Sequence, residues 1–255
     1  MNPSRPNIPK IIFQTALADD LAKPDIAGSV QALQDANPGY DYRFFDDATA
    51  RAFVLDRVPD AVAQKLETLN PAYSVLFADL FRYLVIYEYG GVYFDIKSTS
   101  RDPLDQIIQP DDEIILAQWR NGLGQTYEGY GLHQELQRVP GGEVVQWFLM
   151  ARPKHPILAR VLARVYDNII DYSPYYFGYG RNGVLRTSGP IAFTLAVAPM
   201  LVNHDIRFVD LNDVGLIYSI YGEDWLGHTN PGHYAVQSDP VFPPPDQGWT
   251  AIHFG

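Results

Sequence analysis

The stretch from Asn70 to Ser98 constrains this chain more than any other, because it sets a helix, a reversal and a strand in immediate succession. Asn70-Pro71 is a helix-start signal: the Asn side chain accepts from free amides, and Pro is tolerated in a first turn. The helix is predicted to run to about Tyr89. Phe77, Leu80, Phe81 and Leu84 give it an apolar face, while Asp79, Arg82, Tyr83 and Ile86 share another at three- and four-residue spacing. Gly90 supplies the stop. Val92 to Ile96 then reads as a strand, whose period of two sets Val92, Phe94 and Ile96 on one face and Tyr93, Asp95 and Lys97 on the other.

The flanking sequence supplies the rest of an α/β pattern. Ile8 to Thr15 is a short apolar run suited to a buried parallel strand, and Asp25 to Ala36 reads as a helix. After the turn residues Asn37-Pro38-Gly39, Tyr40 to Phe45 is a second strand that stops at Asp46-Asp47. Further strands are expected at Glu113 to Ala117, Val144 to Met150 and Ile206 to Val209, with helices at Pro156 to Ile170 and Pro190 to Val202. From about Tyr218 the chain turns to Gly, Pro, His and Trp. Phe242-Pro243-Pro244-Pro245 continues neither a helix nor a central strand, so an irregular C-terminal segment packed across the sheet is expected. Strand and helix alternation implies an α/β fold, and the 255 residues are read as one domain, 1–255.

Charge narrows the ligands. A formal net charge of −11 without a run of Lys and Arg argues against nucleic acid as a partner. The absence of cysteine removes disulfides and thiolate metal sites. No stretch reaches the roughly 18 apolar residues of a membrane span, and the N-terminus lacks the apolar core of a signal peptide. The expected location is therefore cytoplasmic.

In an open α/β sheet, ligands bind beyond the carboxyl ends of strands, which is where Asp95 and Lys97 fall. Asp79 and Arg82, one turn apart on the preceding helix, are within reach of the same cleft. Taken singly, these residues also read as a surface ion pair, a glycine cap and a strand terminator. Their order carries more information.

ADLFRYLVIYEYGGVYFDIKS, from Ala78 to Ser98, resembles the DXD-containing sugar transferases of glycosyltransferase family 32, which includes yeast-type initiating α-1,6-mannosyltransferases and bacterial capsule enzymes. Ile8 to Thr15 (IPKIIFQT), Asn37 to Asp47 (NPGYDYRFFDD) and Thr187 to Pro190 (TSGP) are also similar, and the large clostridial glucosylating toxins look like distant relatives. The resemblance implies a GT-A fold with a Rossmann-like mixed sheet flanked by helices. It also implies a UDP- or GDP-sugar donor and transfer with retention to a glycan or lipid-linked acceptor. By motif position it assigns Asp79 and Arg82 to donor ribose and sugar, Asp95 to metal or sugar, and Phe13, Gln14 and Thr15 at the first strand's end to the base. Tyr83, Gly91, Tyr93, Arg186 and Ser188 complete the expected donor-binding set, and Asp95 and Lys97 are the expected catalytic residues.

Lys97 is a departure, since relatives carry a second aspartate there. Losing a carboxylate weakens a site for Mn²⁺ or Mg²⁺ built from oxygen ligands. Either Lys97 replaces part of the metal's charge, or it points away while Asp95 holds the ion with C-terminal ligands. His253, in a segment similar to the family's closing His-containing motif, reads as either a second ligand or a tail residue; His228 and His233 have the weaker case. His155-Pro156 reads as a strand-to-helix corner. Tyr172, Tyr175, Tyr176, Phe177 and Tyr179 suit either sugar stacking or loop packing, and Arg181 is a further phosphate or acceptor contact. Two other functions fit the same residues: a transferase that modifies a protein surface, and a catalytically silent nucleotide-sugar-binding module.

Overall fold

A computed structural model describes residues 8–202, 206–222 and 234–243. In chain order the elements are β1 (Ile11–Ala16), α1 (Pro24–Ala36), β2 (Asp41–Asp46), α2 (Asp47–Leu55), α3 (Asp60–Glu67), α4 (Val75–Tyr89), β3 (Gly91–Phe94), β4 (Thr99–Ser100), α5 (Leu104–Ile107), β5 (Ile114–Ala117), β6 (Phe148–Ala151), α6 (Pro156–Ile170), α7 (Pro174–Phe177), α8 (Gly180–Thr187), α9 (Pro190–Val197), β7 (Arg207–Val209) and β8 (Leu216–Ile217). Six strands form one mixed sheet in the order β2-β1-β3-β6-β5-β7, and β4 pairs with β8 in a small second sheet.

The large sheet has helices on both faces, as expected for the GT-A class, and period two divides its side chains between two cores. Phe13, Tyr93, Leu116 and Leu149 face the larger core, built with α2, α4, α6 and α9. Ile12, Val92, Phe94, Ile115 and Met150 face the other core, with Leu33 of α1 and Leu104 of α5. The facing expected for Val92, Tyr93 and Phe94 is thus observed. Topology also gathers one edge. Because β1, β3 and β5 run in one direction and β6 runs against them, the carboxyl ends of β3 and β5 and the start of β6 meet at the same side of the sheet.

α4 is buried on nearly all sides, from Leu76 to Ile86, and its polar side chains are buried with it. Its exit requires glycine. Gly90 and Gly91 have φ of +66° and +99°, and a Cβ on Gly91 would stand 2.6 Å from the Ile11 carbonyl oxygen on β1. Gly91→Ala is expected to destabilise the protein by about 1–3 kcal/mol, the usual cost of a forced backbone conformation, read as a lower urea midpoint.

Several boundaries differ from those expected. Asn70 caps a short 3-10 turn, its side chain accepting from the Ala72 amide at 3.1 Å, and α4 itself begins only at Val75. β3 ends at Phe94, so Asp95 to Lys97 lie in a turn rather than in the strand. β6 begins at Phe148, with Val144 making only an isolated bridge to Gln118. The α geometry of α9 stops at Val197 and tightens into a 3-10 turn at Pro199, whose nitrogen cannot donate to the preceding turn. The helices α2 and α3 were not anticipated. Asp46 starts α2 by accepting from the Thr49 amide at 2.7 Å. Of the described parts of the C-terminal segment, 218–222 and 234–243, the first packs Tyr218 against the second core, while the other packs on helices: Val241 and Phe242 join the larger core, and the Val241 carbonyl accepts from the Asn70 amide. The His155 corner is as expected, with the His155 ring capping α6 at the Ile157 amide.

Candidate active site

The gathered sheet edge opens into a cleft of about 1230 Å³, whose lining includes Asp79, Arg82, Asp95, Lys97, Trp119, Glu143 and Trp147. The Asp95 amide donates to the Trp147 carbonyl at 2.8 Å, which fastens the turn after β3 to the start of β6. Gln14 braces it from behind, its side-chain amide donating to the Asp95 carbonyl at 3.2 Å while its Oε1 accepts from the Tyr42 hydroxyl.

Asp79 and Arg82 are not a surface pair. Their side chains are 2% and 6% exposed, with Arg82 Nη2 at 3.3 Å from Asp79 Oδ1 and Arg82 Nη1 at 3.1 Å from Asp95 Oδ1. Further hydrogen bonds tie this network together. Asp79 Oδ2 accepts from Ser188 Oγ at 2.7 Å, Asp79 Oδ1 accepts from Gln146 Nε2 at 3.2 Å, and Asp95 Oδ1 accepts from the Tyr93 hydroxyl at 3.0 Å. The Tyr83 hydroxyl contacts Gln146 Oε1 and donates to the Ser188 carbonyl. One guanidinium therefore holds two carboxylates in fixed positions at the cleft floor, as its rigid fork of donors permits.

Burial sets the electrostatics. It raises the Asp79 pKa, an effect that Arg82 and Ser188 oppose. Burial alone would lower Arg82, but Asp95, Tyr93 and Asp79 together hold it above the ordinary arginine value. Burial pushes Lys97 down to about 8, against the attraction of Asp95. Lys97 thus stays cationic at neutral pH and loses its charge in mild alkali. Its ammonium stands 5.1 Å from the centroid of the Tyr218 ring.

Of the residues singled out in the sequence, Asp79, Arg82, Asp95, Lys97 and Arg181 line the cleft. Gln14, Tyr83, Tyr93 and Ser188 stand behind it as hydrogen-bonding support, and Gly91 permits the close approach of β3 to β1. Phe13 is fully buried against Phe45 and Tyr89, Thr15 is buried on the same strand, and Arg186 pairs with Glu135. None of these is among the described cleft-lining residues. Tyr175, Tyr176 and Tyr179 are exposed, while Tyr172 and Phe177 stack on each other. His228, His233 and His253 lie outside the described residues. The sequence reading missed Gln146, Glu143, His133, Trp119 and Trp147. A signal existed in Glu143 and Gln146, polar residues bracketing an apolar run.

The described residues do not suit a divalent cation. Among them, no three His, Asp or Glu side chains are grouped to hold one. Asp95 Oδ1 already faces a guanidinium and a phenol, and the neighbouring position carries the cation Lys97 instead of a carboxylate. A hard ion needs about six oxygen ligands, and the carboxylates of this floor stand beside the cations Arg82 and Lys97.

Fold and cleft together define an α/β protein with a rigid acidic floor and cationic side chains at the carboxyl edge of its sheet. Residues 24–113, which include that floor's helix and turn, match the family described as glycosyltransferase sugar-binding region containing DXD motif, in agreement with the motif order read from the sequence. The chain is 28% identical over 147 residues to an initiation-specific alpha-1,6-mannosyltransferase of Candida albicans, covering 54% of this chain and 36% of that protein. It is 33% identical over 109 residues to inositol phosphoceramide mannosyltransferase 2 of Schizosaccharomyces pombe, covering 40% and 29%. It thus spans well under half the length of these curated relatives. Among solved structures, the ligand-free glycosyltransferase domain of the YGT toxin is similar over 86% of this chain and 82% of that one, at 8% identity and a TM-score of 0.48. Among the described residues, no helix is long and apolar enough to cross a membrane.

Proposed function

We propose that this protein, acting as a single domain, is a glycosyltransferase that moves a hexosyl group from a UDP- or GDP-sugar to a hydroxyl of a glycan or lipid-linked acceptor, with retention at the anomeric carbon. The observation that carries the reading is the buried Asp79–Arg82–Asp95 network, presented to a cleft beside Lys97 within the family-matched stretch. In the reaction the acceptor oxygen bonds to the anomeric carbon as the bond from that carbon to the β-phosphate oxygen breaks. The electron pair leaves with the nucleoside diphosphate, and the acceptor proton passes to a phosphate oxygen or water. Asp95 and Arg82 orient the donor sugar, so that much of the rate comes from positioning and from stabilising the leaving charge.

Lys97 and Arg181 meet the diphosphate's charge in this reading. At about 4 Å and an effective dielectric of ~20, an ammonium and a phosphate oxygen attract by roughly 4 kcal/mol before desolvation. UDP or GDP affinity, measured by titration calorimetry, is therefore expected to be unchanged by EDTA, to fall in Lys97→Gln, and to become dependent on Mn²⁺ in Lys97→Asp. Wild-type binding that vanishes on chelation would return the metal role to Asp95 with ligands such as His253.

The relatives' names direct the first donor trial to GDP-mannose, followed by a panel of UDP-hexoses. Release of GDP or UDP from one of them is expected, with or without a sugar acceptor, since water entering such a site hydrolyses the donor slowly. No release from any donor would remove the proposal and leave nucleotide-sugar binding alone.

A further inference from the structure

The cleft continues past Lys97 into a second half that the donor reading does not use. Its wall is aromatic. The Trp119 ring centroid lies 5.0 Å from that of Tyr218, 5.7 Å from Tyr130 and 6.4 Å from Trp147, and all four residues line the cleft. Among them sits Glu143, 7% exposed, with Oε1 accepting from Trp119 Nε1 at 2.9 Å and Oε2 at 2.9 Å from His133 Nε2. The carboxylate is pinned on both oxygens, yet each oxygen keeps a lone pair for a further donor. Trp147 is 3% exposed. Its indole N–H is buried and finds no acceptor among the described residues, an uncommon state for a buried donor.

We propose that this half of the cleft is the acceptor's sugar subsite, and that it takes a neutral pyranose ring. The inference rests on the glycosyltransferase reading. Aromatic ring surface at the cleft matches the C–H faces of a pyranose, while the pinned Glu143 carboxylate matches its hydroxyls. Charge excludes the nucleotide's diphosphate from this end, because Glu143 would repel it, whereas Lys97 attracts it at the other. The two ends are contiguous. Tyr218 packs on both tryptophans and lies under the Lys97 ammonium, so a ring held on this wall adjoins the diphosphate end, where the anomeric carbon must be attacked.

Saturation-transfer NMR on the full chain, with methyl α-D-glucopyranoside, methyl α-D-mannopyranoside and methyl α-D-galactopyranoside as probes, tests the assignment beside calorimetry with UDP and GDP. At least one pyranoside is expected to bind the wild type. Tyr130→Ala and Glu143→Gln are expected to weaken it by about tenfold, the loss of one stacked ring or one hydrogen bond, while nucleotide affinity stays unchanged. Three outcomes would overturn the subsite: no pyranoside bound by a wild type that binds UDP or GDP, pyranoside affinity indifferent to both variants, or nucleotide affinity that falls with them. The last would seat the nucleoside on this wall. Failure of UDP and GDP to bind at all, with Tyr130-dependent pyranoside binding retained, would count against the donor reading and leave the sugar subsite standing.

Discussion

Asp95→Asn is expected to lower sugar transfer by about 100-fold or more while leaving the protein folded. The substitution keeps volume and one acceptor oxygen but removes the charge that faces Arg82 Nη1 at 3.1 Å. Its backbone anchor to the Trp147 carbonyl is untouched, so the turn after β3 should hold its place. What is lost is the definition of the floor: the guanidinium is freed to shift toward Asp79, and a small misplacement of a positioning group can cost about two orders of magnitude in rate. The stability cost should be near that of one charge-assisted hydrogen bond, about 1.5–3 kcal/mol, because Asp95 still reaches solvent. Donor turnover and a thermal melt of the same sample check both statements. Full turnover in Asp95→Asn would remove this aspartate from the mechanism.

Arg82→Met should have the larger structural effect. Methionine fills the volume but leaves Asp79, at 2% exposure, without its countercharge, and a buried charge stripped of its partner costs about 3–5 kcal/mol. The loss should depend on pH in a defined direction. Burial already raises the Asp79 pKa with Arg82 present, and without it the carboxyl should keep its proton to still higher pH in the folded state. Over the interval above the ordinary value of 3.8, the folded variant then binds a proton that the unfolded chain has released, so its stability falls as pH rises through that interval. Urea midpoints measured from acid to neutral pH should show the gap from wild type widening. Asp79→Asn combined with Arg82→Met should recover part of the loss, since no buried charge remains. Equal stability of Arg82→Met and wild type at neutral pH would mean that Asp79 is solvated after all.

Much of this was legible in the residues because it depends on local chemistry. α6 falls at the expected residues because the His155-Pro156 pair starts it and the apolar period runs to Ile170. The helix, Gly-Gly reversal and strand were readable because a glycine pair after an apolar helix forces the turn. α2 was overlooked although Asp46-Asp47 carried its cap signal, since the same residues also read as the end of a strand. Asp79 and Arg82 read as readily as an exposed pair, because three-residue spacing is the same on a buried helix and on a surface one.

The sequence alone determined the helix, Gly-Gly reversal and strand that follow Asn70, the alternation of β3 and the nearness of Asp95 and Lys97 to a strand's end. Those follow from side-chain period, turn chemistry and chain connectivity. Only the tertiary structure decided that α4 is sheathed on nearly all sides, which turns Asp79 and Arg82 into a buried clamp on Asp95. It alone brought Gln146, Glu143 and Trp147 opposite them, because β6 runs against β3 and delivers its start to the edge where β3 ends. Pairing across more than fifty residues of chain is set by the packing of the whole sheet, and no local pattern around Asp95 encodes it.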